Sequence, residues 1–168
     1  LAGAVLAGMA LALTACAAAP ARDAGATTFI VVRHAEKGTD DARDPSLSQA
    51  GQARAQRLAV LLSDEPVNAA YATAYRRTYQ TAQPVAADHF LRITTYDAKM
   101  PAPQFAEQLR TLHKTGTVLV VGHSNTVPDI VGALSGRRVA AMGDDEFDRL
   151  YRIRIGVDGK AALSQETY

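Results

Sequence analysis

The chain has a single cysteine, Cys16, and no tryptophan among its 168 residues. One thiol cannot form an intrachain disulfide or a Cys-based metal cluster. Aromatic residues make up only 6% of the sequence, which leaves little for a base-stacking surface. Neither sign of charge prevails: 18 basic residues face 17 acidic ones, for a net charge of +1, and no dense Lys/Arg run occurs. Nucleic acid is therefore not an expected partner. No H-E-x-x-H or comparable spacing is present, so neither a metal nor a cofactor is expected. The length suits one domain with a sizeable core.

No charged residue precedes Arg22, and the first fifteen residues are dominated by Ala, Leu, Val and Gly. An apolar run followed by small residues is the pattern of a secretory signal. It ends in Leu13-Thr14-Ala15-Cys16, which resembles the bacterial lipobox, where a signal is cut before a lipid-modified cysteine. The alternative is an uncleaved membrane helix, since about 20 apolar residues would span a bilayer. The first reading implies a lipoprotein-type signal over 1–16, a flexible tether over 17–26 and a folded domain over 27–168. It also implies an exported protein, lipid-anchored at Cys16 on the periplasmic side of a bacterial envelope. Acylation of Cys16 would leave the domain without a thiol, excluding a thiolate nucleophile. The chain begins with neither Met nor a basic segment, so its true start is expected upstream.

Beyond the tether, strand-like and helix-like patterns alternate. Residues 28–33 (TFIVVR), 67–72, 91–96 and 117–121 (TVLVV) are expected strands. Apolar residues at helical spacing predict helices over 48–62, 76–87, around Phe105, Leu109 and Leu112, and over 127–134. Segments 150–155 and 161–167, joined through Asp158-Gly159, predict a terminal hairpin. The expected fold class is α/β: a three-layer sandwich whose central sheet is mostly parallel, or mixed, with helices on both faces.

Active sites in such sheets gather at the carboxyl ends of the strands. The first strand delivers Arg33-His34-Ala35-Glu36, and the TVLVV strand delivers Gly122-His123-Ser124-Asn125-Thr126. The second segment resembles a serine-hydrolase nucleophile elbow, but Thr126 stands where that turn needs Gly. That family also needs a histidine after the serine, and none of the four histidines (34, 89, 113, 123) follows Ser124. Cationic neighbours at both strand ends disfavour a metal dication and favour an anion. A third element, Tyr75-Arg76-Arg77-Thr78-Tyr79-Gln80-Thr81-Ala82, opens a helix. Helix N-termini attract anions, and arginine offers a planar fork suited to phosphate. His89, His113, Lys37, Arg76, Arg137 and Arg138 read as surface residues, and Gly51 as a helix-packing position.

Arg33-His34-Ala35-Glu36, the Arg-x-x-Gln-Thr-Ala helix start and the later Gly-His together resemble the histidine phosphatase superfamily, the phosphoglycerate mutase-like proteins. The segment 44–53 (DPSLSQAGQA) is similar to that family's Leu-Ser/Thr-x-x-Gly-x-x-Gln/Arg-Ala helix start, and 145–151 also looks familiar from its small members. The resemblance runs from about residue 29 to residue 155.

This resemblance implies that His34 is the nucleophile and carries a phosphohistidine intermediate. Arg33, Arg77, His123 and Ser124 would hold the phosphoryl group, with His123 protonated because the bound dianion raises its pKa. Three possibilities for the proton donor stay open: Asp97, Glu36, or no dedicated acid, the last suiting a good leaving group. The implied activity is metal-independent hydrolysis of a phosphomonoester, on a small phosphorylated substrate or a phosphorylated envelope component. The alternatives are a phosphohistidine-protein phosphatase and a catalytically silent phosphate-binding or adaptor lipoprotein. Oligomeric state has no signature in the sequence.

Overall fold

The structure is a computed structural model that describes residues 25–168. The signal, Cys16 and most of the tether lie outside the described residues. In chain order the elements are β1 (Thr27–Arg33), α1 (Gln49–Leu62), β2 (Val67–Thr73), α2 (Arg76–Asp88) and β3 (Ile93–Tyr96). They continue with α3 (Ala102–Leu112), β4 (Gly116–Gly122), α4 (Val127–Ser135), β5 (Arg149–Ile155) and β6 (Ala161–Thr167). The six strands form one sheet in the order β3-β2-β4-β1-β5-β6. The first four are parallel, and the β5–β6 hairpin adds antiparallel to β1. The sheet is mixed and mostly parallel, as the sequence implies.

Strand alternation sorts the core into two layers. Phe29 and Val31 of β1, with Val118 and Val120 of β4, face Phe105 and Leu109 of α3 and Ile130, Val131 and Leu134 of α4. Ile30, Val32, Leu119 and Val121 face the other way, onto Leu58 and Leu62 of α1 and Ala82 and Val85 of α2. Strands covered on both faces need apolar residues at every position, hence the unbroken FIVV and TVLVV runs.

Local signals fix several element ends. The Ser48 side chain caps α1 by accepting from the Gly51 amide at 3.1 Å. Gly136 closes α4 in the left-handed conformation (φ 70°), where glycine has no Cβ penalty. Two sequence expectations need correction: His89 and His113 are not free surface residues. His89 Nε2 lies 3.1 Å from the Leu62 carbonyl, and His113 Nε2 lies 2.8 Å from the Tyr71 hydroxyl. Each half-buried ring thereby ties a helix end to a neighbouring element.

One packing contact bears directly on the site. Gly51, in the first turn of α1, sits so close to the Glu36 backbone that a Cβ would overlap the Glu36 carbonyl oxygen. The Ser48 amide donates to that carbonyl at 2.9 Å. The start of α1 is thus seated on the segment following His34. Gly51→Ala is expected to destabilise the protein by about 1–3 kcal/mol through overpacking. The measurement is the midpoint of chemical denaturation, and an unchanged midpoint would mean that this contact yields freely.

Candidate active site

Strands β1 and β4 are neighbours, yet the helices that follow them, α1 and α4, cover opposite faces of the sheet. A crevice opens at the carboxyl ends of such a strand pair. Parallel register sets Arg33 opposite Gly122, and the His34 amide donates to the Gly122 carbonyl at 2.9 Å. His34 and His123 therefore leave the sheet side by side. Their ring centroids are 5.4 Å apart, edge to face. Both are nearly enclosed, at 4% and 8% exposure.

The His34 ring is held in a defined tautomer. Nδ1 lies 2.8 Å from the Ala35 carbonyl oxygen, which can only accept, so Nδ1 carries the hydrogen and Nε2 keeps its lone pair. Burial pushes the His34 pKa down to about 3; the Ala35 carbonyl works against that, while His123, Arg77 and Arg33 reinforce it. Burial, followed by Arg77 and Arg33, pushes His123 down to about 4. With no anion bound, both rings are neutral at physiological pH.

Arg33 is 5% exposed and grips the loop before β5, donating through Nη1 to the carbonyls of Gly143 (2.8 Å), Asp144 and Glu146 (both 3.0 Å). Its guanidinium stacks on Phe147, 4.0 Å from the ring centroid, and the Phe147 ring lies 6.1 Å from that of His34. Burial lowers the Arg33 pKa, with Asp144, Asp145 and Glu146 opposing; arginine nevertheless stays charged. Arg77, in the first turn of α2, stacks on Tyr75 at 4.4 Å, and the Tyr75 ring meets His123 edge-on at 5.3 Å. The Nε atoms of both arginines are buried without a partner among the described residues. Unpaired buried donors on two cations flanking a pair of histidines suit an anion with several acceptor oxygens.

The N-terminus of α2 already holds a carboxylate of the chain. Asp44 accepts from the Arg76 amide at 2.9 Å and pairs with Arg77 Nη1 at 3.6 Å. Arg76 itself is exposed and pairs with Asp40 at 3.2 Å and with the Ser46 hydroxyl, in keeping with a surface role. At the start of α4, the Thr126 and Val127 amides are both turned to the His123 carbonyl. Ser124 is half-buried beside His123.

The two carboxylates considered as proton donors are both engaged elsewhere. Glu36 is gripped by Arg54, whose Nε lies 3.0 Å from both carboxylate oxygens and whose Nη2 lies 2.7 Å from one. Burial raises the Glu36 pKa, but the Arg54 hydrogen bonds outweigh it and the net shift is downward, so the group stays ionised. Asp97 is exposed in the turn after β3, where its carboxylate accepts from the Lys99 amide at 2.9 Å.

Some site residues have no motif-level signal. Thr73, at the end of β2, places its hydroxyl 3.0 Å from His123 Nε2, and the Thr78 hydroxyl lies 2.8 Å behind it. Thr81 accepts from the Ala35 amide at 3.0 Å, anchoring the His34 loop onto α2. Thr81 is part of the Arg-x-x-Gln-Thr-Ala helix start, whereas nothing in the sequence singles out Thr73 or Thr78. Among the described residues, no group of three or more His, Cys, Asp or Glu side chains is arranged to hold a metal ion.

Comparison with known proteins agrees with this geometry. Residues 29–100 match the family model of the histidine phosphatase superfamily (branch 1). No curated protein matches the sequence. Among solved structures, the protein histidine phosphatase SixA complexed with tungstate is 18% identical, with a TM-score of 0.70 over 83% of this chain and 96% of its own. A putative phosphohistidine phosphatase SixA from Nakamurella multipartitia is 20% identical, with a TM-score of 0.64 over 85% and 96%. A putative alpha-ribazole-5'-P phosphatase from Escherichia coli is 15% identical, with a TM-score of 0.67 over 84% and 96%. At these identities the structures establish a shared fold, and the family match covers the strand and helix that carry Arg33, His34 and Arg77. Residues 29–100 thus match the histidine phosphatase superfamily model, and the domain shares the fold of these phosphatase structures.

Proposed function

We propose that the protein is a phosphomonoester hydrolase that works through a phosphohistidine on His34, without a metal, at the bacterial cell envelope. The observation that carries this reading is the bare Nε2 of a neutral His34, fixed by the Nδ1–Ala35 contact and flanked by Arg33, Arg77 and His123. A neutral imidazole attacks phosphorus without prior deprotonation, and water can cleave the resulting P–N bond. The guanidiniums supply the charge stabilisation of the transferring phosphoryl group. Ser124 completes the proposed phosphate pocket. The substrate would be a small phosphorylated molecule or a phosphorylated envelope component.

One observation favours a second reading, phosphohistidine-protein phosphatase. Glu36 is tied to Arg54 and Asp97 to its own turn, so neither candidate acid is free beside the histidines. A leaving group that departs without strong acid assistance suits such a site. A silent adaptor of the same fold would have no need of an unprotonated Nε2 on His34.

The wild-type protein is expected to hydrolyse a generic aryl phosphate, and His34→Ala to abolish this. Arg77→Ala and His123→Ala should each lower kcat by about 10²–10³. Rapid quenching of wild type should trap an acid-labile phosphoprotein, absent in His34→Ala; no turnover and no trapped species in wild type would refute the enzyme reading.

The pH profile offers an independent check. kcat/KM reports the free enzyme, in which His34 titrates at about 3 and His123 at about 4. Once the ionisation of the substrate is corrected for, activity should persist as pH falls from 7 to 5 and decline only as these rings take up protons below that. An acid limb near 6.5 would contradict the depressed values.

For the anchor, the expectation is that wild type fractionates with membranes and Cys16→Ala does not. A Cys16→Ala protein still bound to membranes would count against lipidation.

A further inference from the structure

We propose that Thr73 is a positioning residue that, through a reversible chain of two hydroxyls, presents the Nδ1–H of a neutral His123 to the phosphoryl oxygens. The inference rests on reading the two histidines as a phosphoryl site and concerns how the second of them donates.

Among the described residues, His123 has one protein hydrogen-bond partner for its ring nitrogens. Nε2 lies 3.0 Å from Thr73 Oγ1, and Nδ1 has no partner among the described residues. Thr73 is 1% exposed and Thr78 fully buried. Thr73 Oγ1 is 2.8 Å from Thr78 Oγ1, which also lies 2.7 Å from the Tyr75 carbonyl and 3.1 Å from the Thr73 carbonyl. Two hydroxyl protons are thus shared among Tyr75 O, Thr78 Oγ1, Thr73 Oγ1 and His123 Nε2.

Proton counting allows two orderings. In one, Thr78 donates to the Tyr75 carbonyl, as a helical threonine commonly does to the preceding turn. Thr73 then donates to Thr78, and its oxygen accepts from an Nε2–H of His123. In the other, Thr78 donates to Thr73 and Thr73 donates to Nε2. That ordering obliges a neutral His123 to carry its hydrogen on Nδ1, the nitrogen without a protein partner. Switching between them rotates two hydroxyls and moves the ring hydrogen; no net proton enters.

The surroundings make a neutral donor the workable one. His123 is faced by Arg33, Arg77 and the His34 ring, with Tyr75 on its other edge. An imidazolium here would be a third cation in an enclosed site, and its field would oppose lone-pair attack by His34. The depressed basicity of His123 agrees with the hydroxyl chain. The ordering that donates to Nε2 supplies the oxyanion with a hydrogen bond at no cost in added charge. This replaces the sequence-based expectation of a protonated His123.

Nitrogen NMR of the His123 ring in the tungstate-bound protein tests the idea directly. The expected pattern is a neutral ring protonated at Nδ1 with Nε2 as acceptor. Thr73→Val, nearly isosteric, should mix the two tautomers and lower kcat by about 10- to 100-fold, the scale of one hydrogen bond to a charged group. KM should change little, because the contact matters most where charge develops. Thr73→Ser should restore both the ring pattern and kcat. A doubly protonated His123 in the bound protein, or wild-type kcat in Thr73→Val, would overturn the proposal. If His34-dependent hydrolysis stands while His123 is an imidazolium, only the hydroxyl chain falls. Absence of both tungstate binding and hydrolysis would remove the phosphoryl site, and this proposal with it.

Discussion

The hydrogen bond from the His34 amide to the Gly122 carbonyl is the last rung of the β1–β4 ladder, and the site depends on it. Register in a sheet with two buried faces is rigidly specified, since a shift by one residue turns every side chain to the opposite face. Phe29 and Val31 must meet one helix layer, Ile30 and Val32 the other. That requirement fixes β1 against β4, and the same pairing leaves His34 and His123 adjacent at the crevice. The packing of apolar residues well below the site therefore sets the distance between two polar rings above it. Rigid strand ends hold such geometry better than loops would.

Burial then determines the chemistry of what the strands deliver. Removing His34 and His123 from water disfavours their charged forms, and two guanidiniums alongside reinforce the effect. The cations are held by means that spare donors. Arg33 spends Nη1 on three loop carbonyls and its face on Phe147, leaving Nε unpaired; Arg77 likewise lies on Tyr75 with Nε unpaired. Arg33 thus has two tasks, fastening the 143–146 loop and setting the field at His34. A substitution there would loosen that loop as well as remove a charge, so its effects cannot be assigned to charge alone.

The strands, the helices and the terminal hairpin were legible because their signals are local: unbroken apolar runs, helical spacing, Ser48, Gly136 and Asp158-Gly159. The placement of Arg33, His34, Arg77 and His123 was legible because strand ends in a parallel sheet converge. What escaped the sequence depends on contacts between distant segments. Glu36 looked like an available acid three residues from Arg33, but Arg54, one turn into α1, takes its carboxylate. His89 and His113 looked like surface residues because their partners, a helix-end carbonyl and a tyrosine on β2, lie far off in sequence. Thr73 and Thr78 look like ordinary threonines until β2 and α2 are folded against β1 and β4.

The leaving group links the site's cations to its carboxylates. On the proposed reading, a phosphoryl group moves to His34 and the departing atom needs either a proton or an intrinsic ability to leave. Asp44 is the carboxylate that pairs with Arg77, and it also caps α2 through the Arg76 amide. An incoming phosphate would compete with it for Arg77, because both are anions directed at one guanidinium. Electrostatics then favour a substrate whose own charge outweighs a single carboxylate, such as a phosphoryl dianion, over a singly charged ester. The same competition means that any acid assistance from Asp44 would have to follow its displacement from Arg77. On that reading the site would select for phosphoryl charge first and for a good leaving group second, and neutral histidines at its centre would suit both.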